Sequence, residues 1–261
     1  MVDPLLKLEN VNINFGGLKA VNRLNMELYP GELIGLIGPN GAGKTTVFNL
    51  LTGIYVPTEG TITFNGERIN NIPPYKINQK GISRTFQNIR LFGDLTVLDN
   101  VKIAYHTLAK QSIFSSIFRL PKHHAEEAKM EREAIKFLKL FDLHHLQNEK
   151  AKNLPYGMQR RLEIARALAA HPKLLLLDEP AAGMNPKETL ELMDLIAYIR
   201  REFDLTVLLI EHDMRFVMGI CERIYVLDHG KCIATGTPEE IRKNPRVIKA
   251  YLGEEATSLH A

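Results

Sequence analysis

Residues Gly38-Pro39-Asn40-Gly41-Ala42-Gly43-Lys44-Thr45 fit the phosphate-binding pattern G-x-x-x-x-G-K-[ST]. Glycines let the backbone wrap closely around phosphates, where a Cβ would block the approach. The N–H groups of Asn40, Gly41, Ala42, Gly43, Lys44, Thr45 and Thr46 are then candidates to face an anion at a helix N-terminus. Lys44 adds a point charge for β- and γ-phosphates, and Thr45 offers a hydroxyl to Mg²⁺. The pattern points to a nucleoside triphosphate without specifying the reaction.

Hydrolysis of a bound triphosphate needs metal coordination, a positioned water and charge stabilisation. Asp178 and Glu179 close the apolar run Leu174-Leu175-Leu176-Leu177. Asp178 suits a Mg²⁺ ligand and Glu179 a general base. His212, after Thr206-Val207-Leu208-Leu209-Ile210, suits a sensor of the γ-phosphate. Gln87 suits a bridge between metal, water and the segment that follows it. Each residue alone carries little; together, in this order behind a complete phosphate loop, they form a hydrolytic set. Phe15 reads equally as an adenine-stacking aromatic and as a core side chain.

The elements that must hold these residues follow from periodicity. Leu33 to Ile37 is a strand, and Thr46 to Leu51 a helix stopped by Gly53. Leu5–Phe15 and Ala20–Leu28 alternate as half-buried strands, joined by a turn at Gly16-Gly17. Asn65-Gly66 and His229-Gly230 mark hairpins. The spacing predicts a strand over 81–86, and helical structure from Asn88 to Asn153 on the recurrence of Val97, Val101, Tyr105 and of Ala134, Phe137, Leu138, Phe141. A further helix is predicted from Arg160 to about Ala170, with a stripe Leu192, Ile196, Ile199, Phe203 on the next. Four consecutive leucines before Asp178 indicate a strand buried on both faces, as in a parallel sheet. Strands alternating with helices give a mainly parallel, right-handed α/β core, preceded by an antiparallel layer.

With 261 residues the chain can form one core plus a subdomain. Hydrophobic content of 45% and charged content of 24% are ordinary for a globular protein. A net charge of +3 does not argue for nucleic acid as a partner. Cys221 and Cys232 have no metal or redox spacing, which suits a reducing compartment. Met1-Val2-Asp3-Pro4 shows no signal peptide, and no apolar run reaches the roughly 18–20 residues of a membrane span. Residues 111–120 are read as packing on their own domain rather than on a membrane or partner. The pairs His123-His124 and His144-His145 are read as solvated helix faces.

The order of the phosphate loop, Gln87, Leu154–Gln159 with Arg160-Arg161-Leu162, Leu174–Glu179 and His212 resembles the ATP-binding subunit of ABC transporters over essentially the whole chain. Tyr156-Gly157-Met158-Gln159-Arg160-Arg161-Leu162-Glu163-Ile164-Ala165-Arg166 narrows the resemblance to the ATPase of bacterial branched-chain amino acid importers. So do Pro180-Ala181-Ala182-Gly183-Met184-Asn185-Pro186, Ile210-Glu211-His212-Asp213-Met214, the insertion at 107–125 and the ending Tyr251-Leu252-Gly253. Pro155, Tyr156 and Asn185 depart from the general pattern, which carries serine, glycine and aspartate there.

The resemblance implies a P-loop NTPase of the α/β class. It has a RecA-like core with a mainly parallel sheet, an antiparallel β layer and an inserted α-helical subdomain. Residues 1–87 and 160–261 would form the ATP-binding core, and 88–159 the helical subdomain ending in the signature segment. Cofactors are ATP and Mg²⁺, the latter on Thr45, Gln87 and Asp178. Phe15 matches the adenine-stacking aromatic, Gln87 the Q-loop glutamine, Glu179 the catalytic glutamate and His212 the switch histidine; Lys44 joins them at the γ-phosphate. Tyr156, Gly157, Met158 and Gln159 would act on the nucleotide of a second ATPase subunit, identical or paralogous, in a head-to-tail dimer. Implied partners are two integral-membrane permease subunits and, indirectly, an extracytoplasmic solute-binding protein, with no nucleic acid. The implied location is the cytoplasmic face of the cell membrane. Three alternatives stand beside it: a soluble ABC-type ATPase acting on ribosomes or nucleic acid, a small-molecule kinase, and the ATPase of a lipid or lipopolysaccharide export system. The kinase does not explain 154–166 or His212.

Overall fold

The computed structural model describes residues 2–106 and 121–258. Two sheets form the frame. The first is antiparallel, in the order β2 (Leu18–Leu28), β1 (Leu6–Phe15), β4 (Glu59–Phe64), β5 (Glu67–Arg68). The turn between β4 and β5 is made by Asn65 at φ 49° and Gly66 at φ 77°, the left-handed pair that a two-residue hairpin requires.

The second sheet has six strands, in the order β10 (Lys231–Gly236), β9 (Arg223–Asp228), β3 (Leu33–Ile37), β8 (Thr206–Ile210), β7 (Leu174–Asp178), β6 (Ile82–Arg84). Only the β9–β10 pairing is antiparallel; the others are parallel. Strands β3, β7 and β8 are buried at every residue. Alternation then divides their side chains between two cores. Leu175, Leu177, Val207 and Leu209 face one core, and Leu174, Leu176, Leu208 and Ile210 the other.

The second of these cores is closed by α1 (Lys44–Leu51), through Val47, Phe48 and Leu51, and by the antiparallel sheet. The first is covered by α5 (Tyr156–Leu168), α6 (Pro186–Glu202) and α7 (Met214–Ile220), and runs on into α3 (Val97–His106) and α4 (Pro121–Leu140). Phe137 of α4 stacks on Phe203 beyond α6 at 5.6 Å between ring centroids. Helices α2 (Pro74–Lys80), α8 (Pro238–Lys243) and α9 (Pro245–Ser258), with two 3₁₀ turns at His144–Leu146 and Ala151–Asn153, complete the described chain. Among the described residues no helix is long and apolar enough to cross a membrane.

Several boundaries differ from expectation, among them the helical structure expected from Asn88, which begins only at Val97, and two bear on the site. Strand β6 ends at Arg84 rather than Phe86, and residues 85–96 run irregularly to α3. Helix α5 begins at Tyr156 rather than Arg160. Pro155 at φ −54°, ψ 151° is its N-cap, a position that needs no N–H donor, and Gly157 lies inside the first turn. The expected insertion at 107–125 falls largely outside the described residues, as do 111–120; His144 and His145 are exposed.

Candidate nucleotide site

Parallel pairing sets the carboxyl ends of β6, β7, β8, β3 and β9 along one edge of the sheet, where ligands bind in open α/β folds. Each strand delivers a polar residue just beyond its end. The phosphate loop follows β3, Glu179 follows β7, Glu211-His212 follow β8, His229 follows β9 and Gln87 lies beyond β6.

The loop's geometry depends on glycine. Gly43 caps α1 at φ 102°, and a Cβ there would stand 2.5 Å from the Ala20 carbonyl oxygen. Gly38 has φ 150°, and its Cβ would collide with the Leu227 carbonyl. Lys44 is buried, with Nζ donating to Gly38 O at 2.5 Å and Pro39 O at 2.9 Å. Its ammonium is thus fixed along the loop rather than free in solvent. Asn40, Gly41 and Thr45 are exposed, Gly43 and Thr46 half-buried, and Ala42 buried.

Three residues far apart in sequence meet here. His212 Nε2 lies 2.6 Å from Glu179 Oε1, and Gln87 Nε2 donates to Glu179 Oε2 at 2.8 Å. Glu179 has φ 47°, a left-handed conformation that costs a side-chain-bearing residue on the order of 1–3 kcal/mol. Its N–H bonds to Ile210 O at 2.9 Å and its carbonyl accepts from Ala182 N at 3.2 Å, which holds it there. The cleft these residues share has a volume of about 470 Å³. It is lined by Phe15, Asn40–Thr46, Gln87, Glu179 and His212. Phe15 is 44% exposed and meets Tyr55 edge-on at 5.1 Å, so it stands at the cleft rim and not in the core.

Asp178 is buried, and Arg84 Nη2 donates to its Oδ2 at 2.7 Å. Arg84 Nη1 donates to Asn49 Oδ1 of α1 at 2.7 Å, and its guanidinium lies 4.9 Å from the Phe86 ring centre. Tyr156, Gly157, Met158 and Gln159 line no part of this cleft. They form the first turn of α5, whose first intrahelical bond runs from Gln159 N to Pro155 O at 3.0 Å. The N–H groups of Tyr156, Gly157 and Met158 precede that bond.

The residues sequence reasoning missed are Arg84, Glu211 and the rim formed by Leu18, Lys19, Ala20, His229 and Gly230. Glu211 accepts from Ala181 N at 2.8 Å and His212 N at 3.0 Å, tying the turn after β7 to the turn after β8. Burial raises its carboxyl above the ordinary value, and these backbone donors offset part of the rise. One signal was present, a carboxylate at the end of a buried strand; Arg84 lies between Ser83 and Thr85, where the sequence sets no charged residue apart from an apolar background. Asn185 caps α6, its side chain accepting from Lys187 N and Glu188 N at 3.0 Å each.

Comparison with known proteins adds to this geometry. The family description "ABC transporter" matches residues 21–182, and "Branched-chain amino acid ATP-binding cassette transporter" matches 231–257. The high-affinity branched-chain amino acid transport ATP-binding protein LivG of Escherichia coli (strain K12) is 51% identical over 254 residues, covering 97% of this chain and 100% of the relative. The lipopolysaccharide export system ATP-binding protein LptB of Haemophilus influenzae is 34% identical, covering 96% of this chain and 98% of its own. A crystal structure of an ABC transporter's ATP-binding cassette in its ADP conformation superposes with a TM-score of 0.83 at 32% identity, covering 96% of this chain and 99% of that one.

Proposed function

The chain belongs to the ABC transporter family as an ATP-hydrolysing subunit, and from that premise we propose that it drives an importer of branched-chain amino acids. The observation that carries the hydrolytic part is the hydrogen-bonded group Gln87, Glu179 and His212 at the mouth of the phosphate loop. The identity to LivG over nearly the whole of both chains supports the importer over the lipopolysaccharide exporter.

In this reading the N–H groups from Asn40 to Thr46 receive the phosphates, Lys44 meets the β- and γ-oxygens, and Phe15 stacks on the adenine. Glu179 takes a proton from the attacking water. His212 and Gln87 hold its two carboxylate oxygens, so that the base is oriented before substrate arrives. Thr45, Gln87 and Asp178 offer hydroxyl, amide and carboxylate oxygens, the hard donors that Mg²⁺ takes. Gln87 donates to Glu179 through its nitrogen, which leaves its carbonyl oxygen for that role. The ion supplies charge neutralisation to the phosphates when bound.

Tyr156–Gln159 line no part of their own chain's cleft, which suits action on a second subunit's nucleotide. Backbone N–H groups of the first turn of α5, rather than a serine hydroxyl, then face the phosphate. ATP closes a head-to-tail dimer and hydrolysis reopens it. Residues 88–159, the helical subdomain, pass this motion to two permease subunits at the cytoplasmic face of the membrane, with an extracytoplasmic solute-binding protein delivering the amino acid. The test is affinity purification of the tagged chain from detergent-solubilised membranes. Two different multi-span subunits and leucine-stimulated turnover are expected. Lipid-exporter subunits, ribosomes or DNA as the sole partners would sink the importer reading.

A further inference from the structure

Two charged side chains of α5 are fully buried: Arg160 at 0% and Glu163 at 1% exposure. They pair through Arg160 Nη1 and Glu163 Oε2 at 2.8 Å. Desolvation of such a pair outweighs its mutual attraction unless the remaining donors and acceptors are also filled. One stretch of chain fills all of them except Arg160 Nε, which is buried without a partner. Arg160 Nη1 donates to Phe86 O at 2.6 Å and Nη2 to Gln87 O at 2.7 Å. Glu163 Oε1 accepts from Phe86 N at 3.4 Å and Arg90 N at 3.1 Å. The guanidinium meets the carbonyls, and the carboxylate the N–H groups, of the irregular segment after β6. That segment has no helix or strand ladder of its own to satisfy them. Arg160 Nη2 also reaches Tyr156 Oη, at the start of α5, at 3.2 Å.

We propose that Arg160 and Glu163 form a clamp that makes the position of the Gln87 amide against Glu179 depend on the orientation of α5, the helix that begins with Tyr156–Gln159. The contacts are continuous from Tyr156 through Arg160 to the Gln87 backbone, and from the Gln87 side chain to Glu179 Oε2. Neither clamp residue lines the nucleotide cleft, so both are positioning residues. A shift of α5 on dimer closure would therefore reset the hydrogen bond on the base. The proposal rests on the reading of Glu179 as that base.

A double-mutant cycle separates this role from simple support of the loop. Arg160→Met combined with Glu163→Leu removes both charges together and leaves no unpaired buried ion. ATP turnover of the full chain is compared with and without this change, in the Gln87 protein and in Gln87→Ala. The expected loss of kcat is about tenfold with Gln87 present and under about twofold in Gln87→Ala, with ATP affinity unchanged. Equal losses in both backgrounds overturn the clamp. Gln87→Ala turning over at the full rate instead overturns the hydrolytic reading, and the clamp with it. Amide hydrogen exchange on the unsubstituted protein needs no variant. Phe86 and Arg90 are expected to exchange as slowly as α5, and exchange at the rate of an exposed loop contradicts the proposal.

Discussion

Arg84 holds Asp178 by a 2.7 Å ion pair between side chains only 6% and 4% exposed. Breaking a buried pair leaves an uncompensated charge and costs about 3–5 kcal/mol. Arg84→Met is expected to lower unfolding free energy by about 3 kcal/mol, and a further Asp178→Asn to recover more than half of it. Urea unfolding of the nucleotide-free chain measures both; an unchanged midpoint for Arg84→Met would show the pair to be dispensable.

Lys44 is held by two loop carbonyls and is proposed to exchange them for phosphate oxygens. A charge-assisted hydrogen bond is worth about 1.5–3 kcal/mol. Lys44→Ala should weaken ATP binding about tenfold to a hundredfold, read by isothermal titration. Equal ATP affinity in Lys44→Ala and in the unsubstituted protein would remove Lys44 from the phosphate site.

Phe15 packs edge-on against Tyr55 at the rim of the cleft. Base–aromatic stacking contributes about 1–3 kcal/mol. Phe15→Ala should therefore weaken ATP binding by about tenfold while leaving inorganic triphosphate binding unchanged. A loss of thermal stability with no change in ATP affinity would instead assign Phe15 to packing on Tyr55.

Glu211 binds its proton more tightly folded than unfolded, because burial raises its carboxyl from the ordinary 4.5. Its contribution to stability is full below that value and is lost as pH rises through the folded one. Glu211→Gln removes this slope. The stability difference, variant minus parent, should move in favour of the variant as pH rises from 4.5 toward neutral, measured by urea midpoints. A difference independent of pH would mean the backbone donors from Ala181 and His212 fully offset the burial.

Much of this architecture is written locally. The phosphate loop, the leucine strand before Asp178 and the turns at Asn65-Gly66 and His229-Gly230 each depend on neighbours within a few residues. Both turns need paired left-handed residues, and the sequence supplies them. The start of α5 was hidden because Pro155, Tyr156 and Gly157 have loop-like composition, although proline suits a helix's N-terminal end. Arg84 with Asp178, and Glu211 with Ala181, are different in kind. Their partners sit on strands made neighbours only by the order β8-β7-β6, which no local pattern encodes. Phe15 was undecided in sequence because a strand-end aromatic fits both rim and core; its 44% exposure puts it at the rim.

Glu179, held by His212 and Gln87, is proposed as the base of hydrolysis in a nucleotide-closed dimer. Glu179→Gln keeps the shape and hydrogen-bonding capacity of the side chain but removes the base. Turnover should fall by about 10²–10⁴-fold, and light scattering after gel filtration with ATP should find a stable species of twice the monomer mass that ADP does not support. Near-normal hydrolysis by Glu179→Gln would remove Glu179 as the base, and a monomer in ATP would remove the nucleotide-closed dimer.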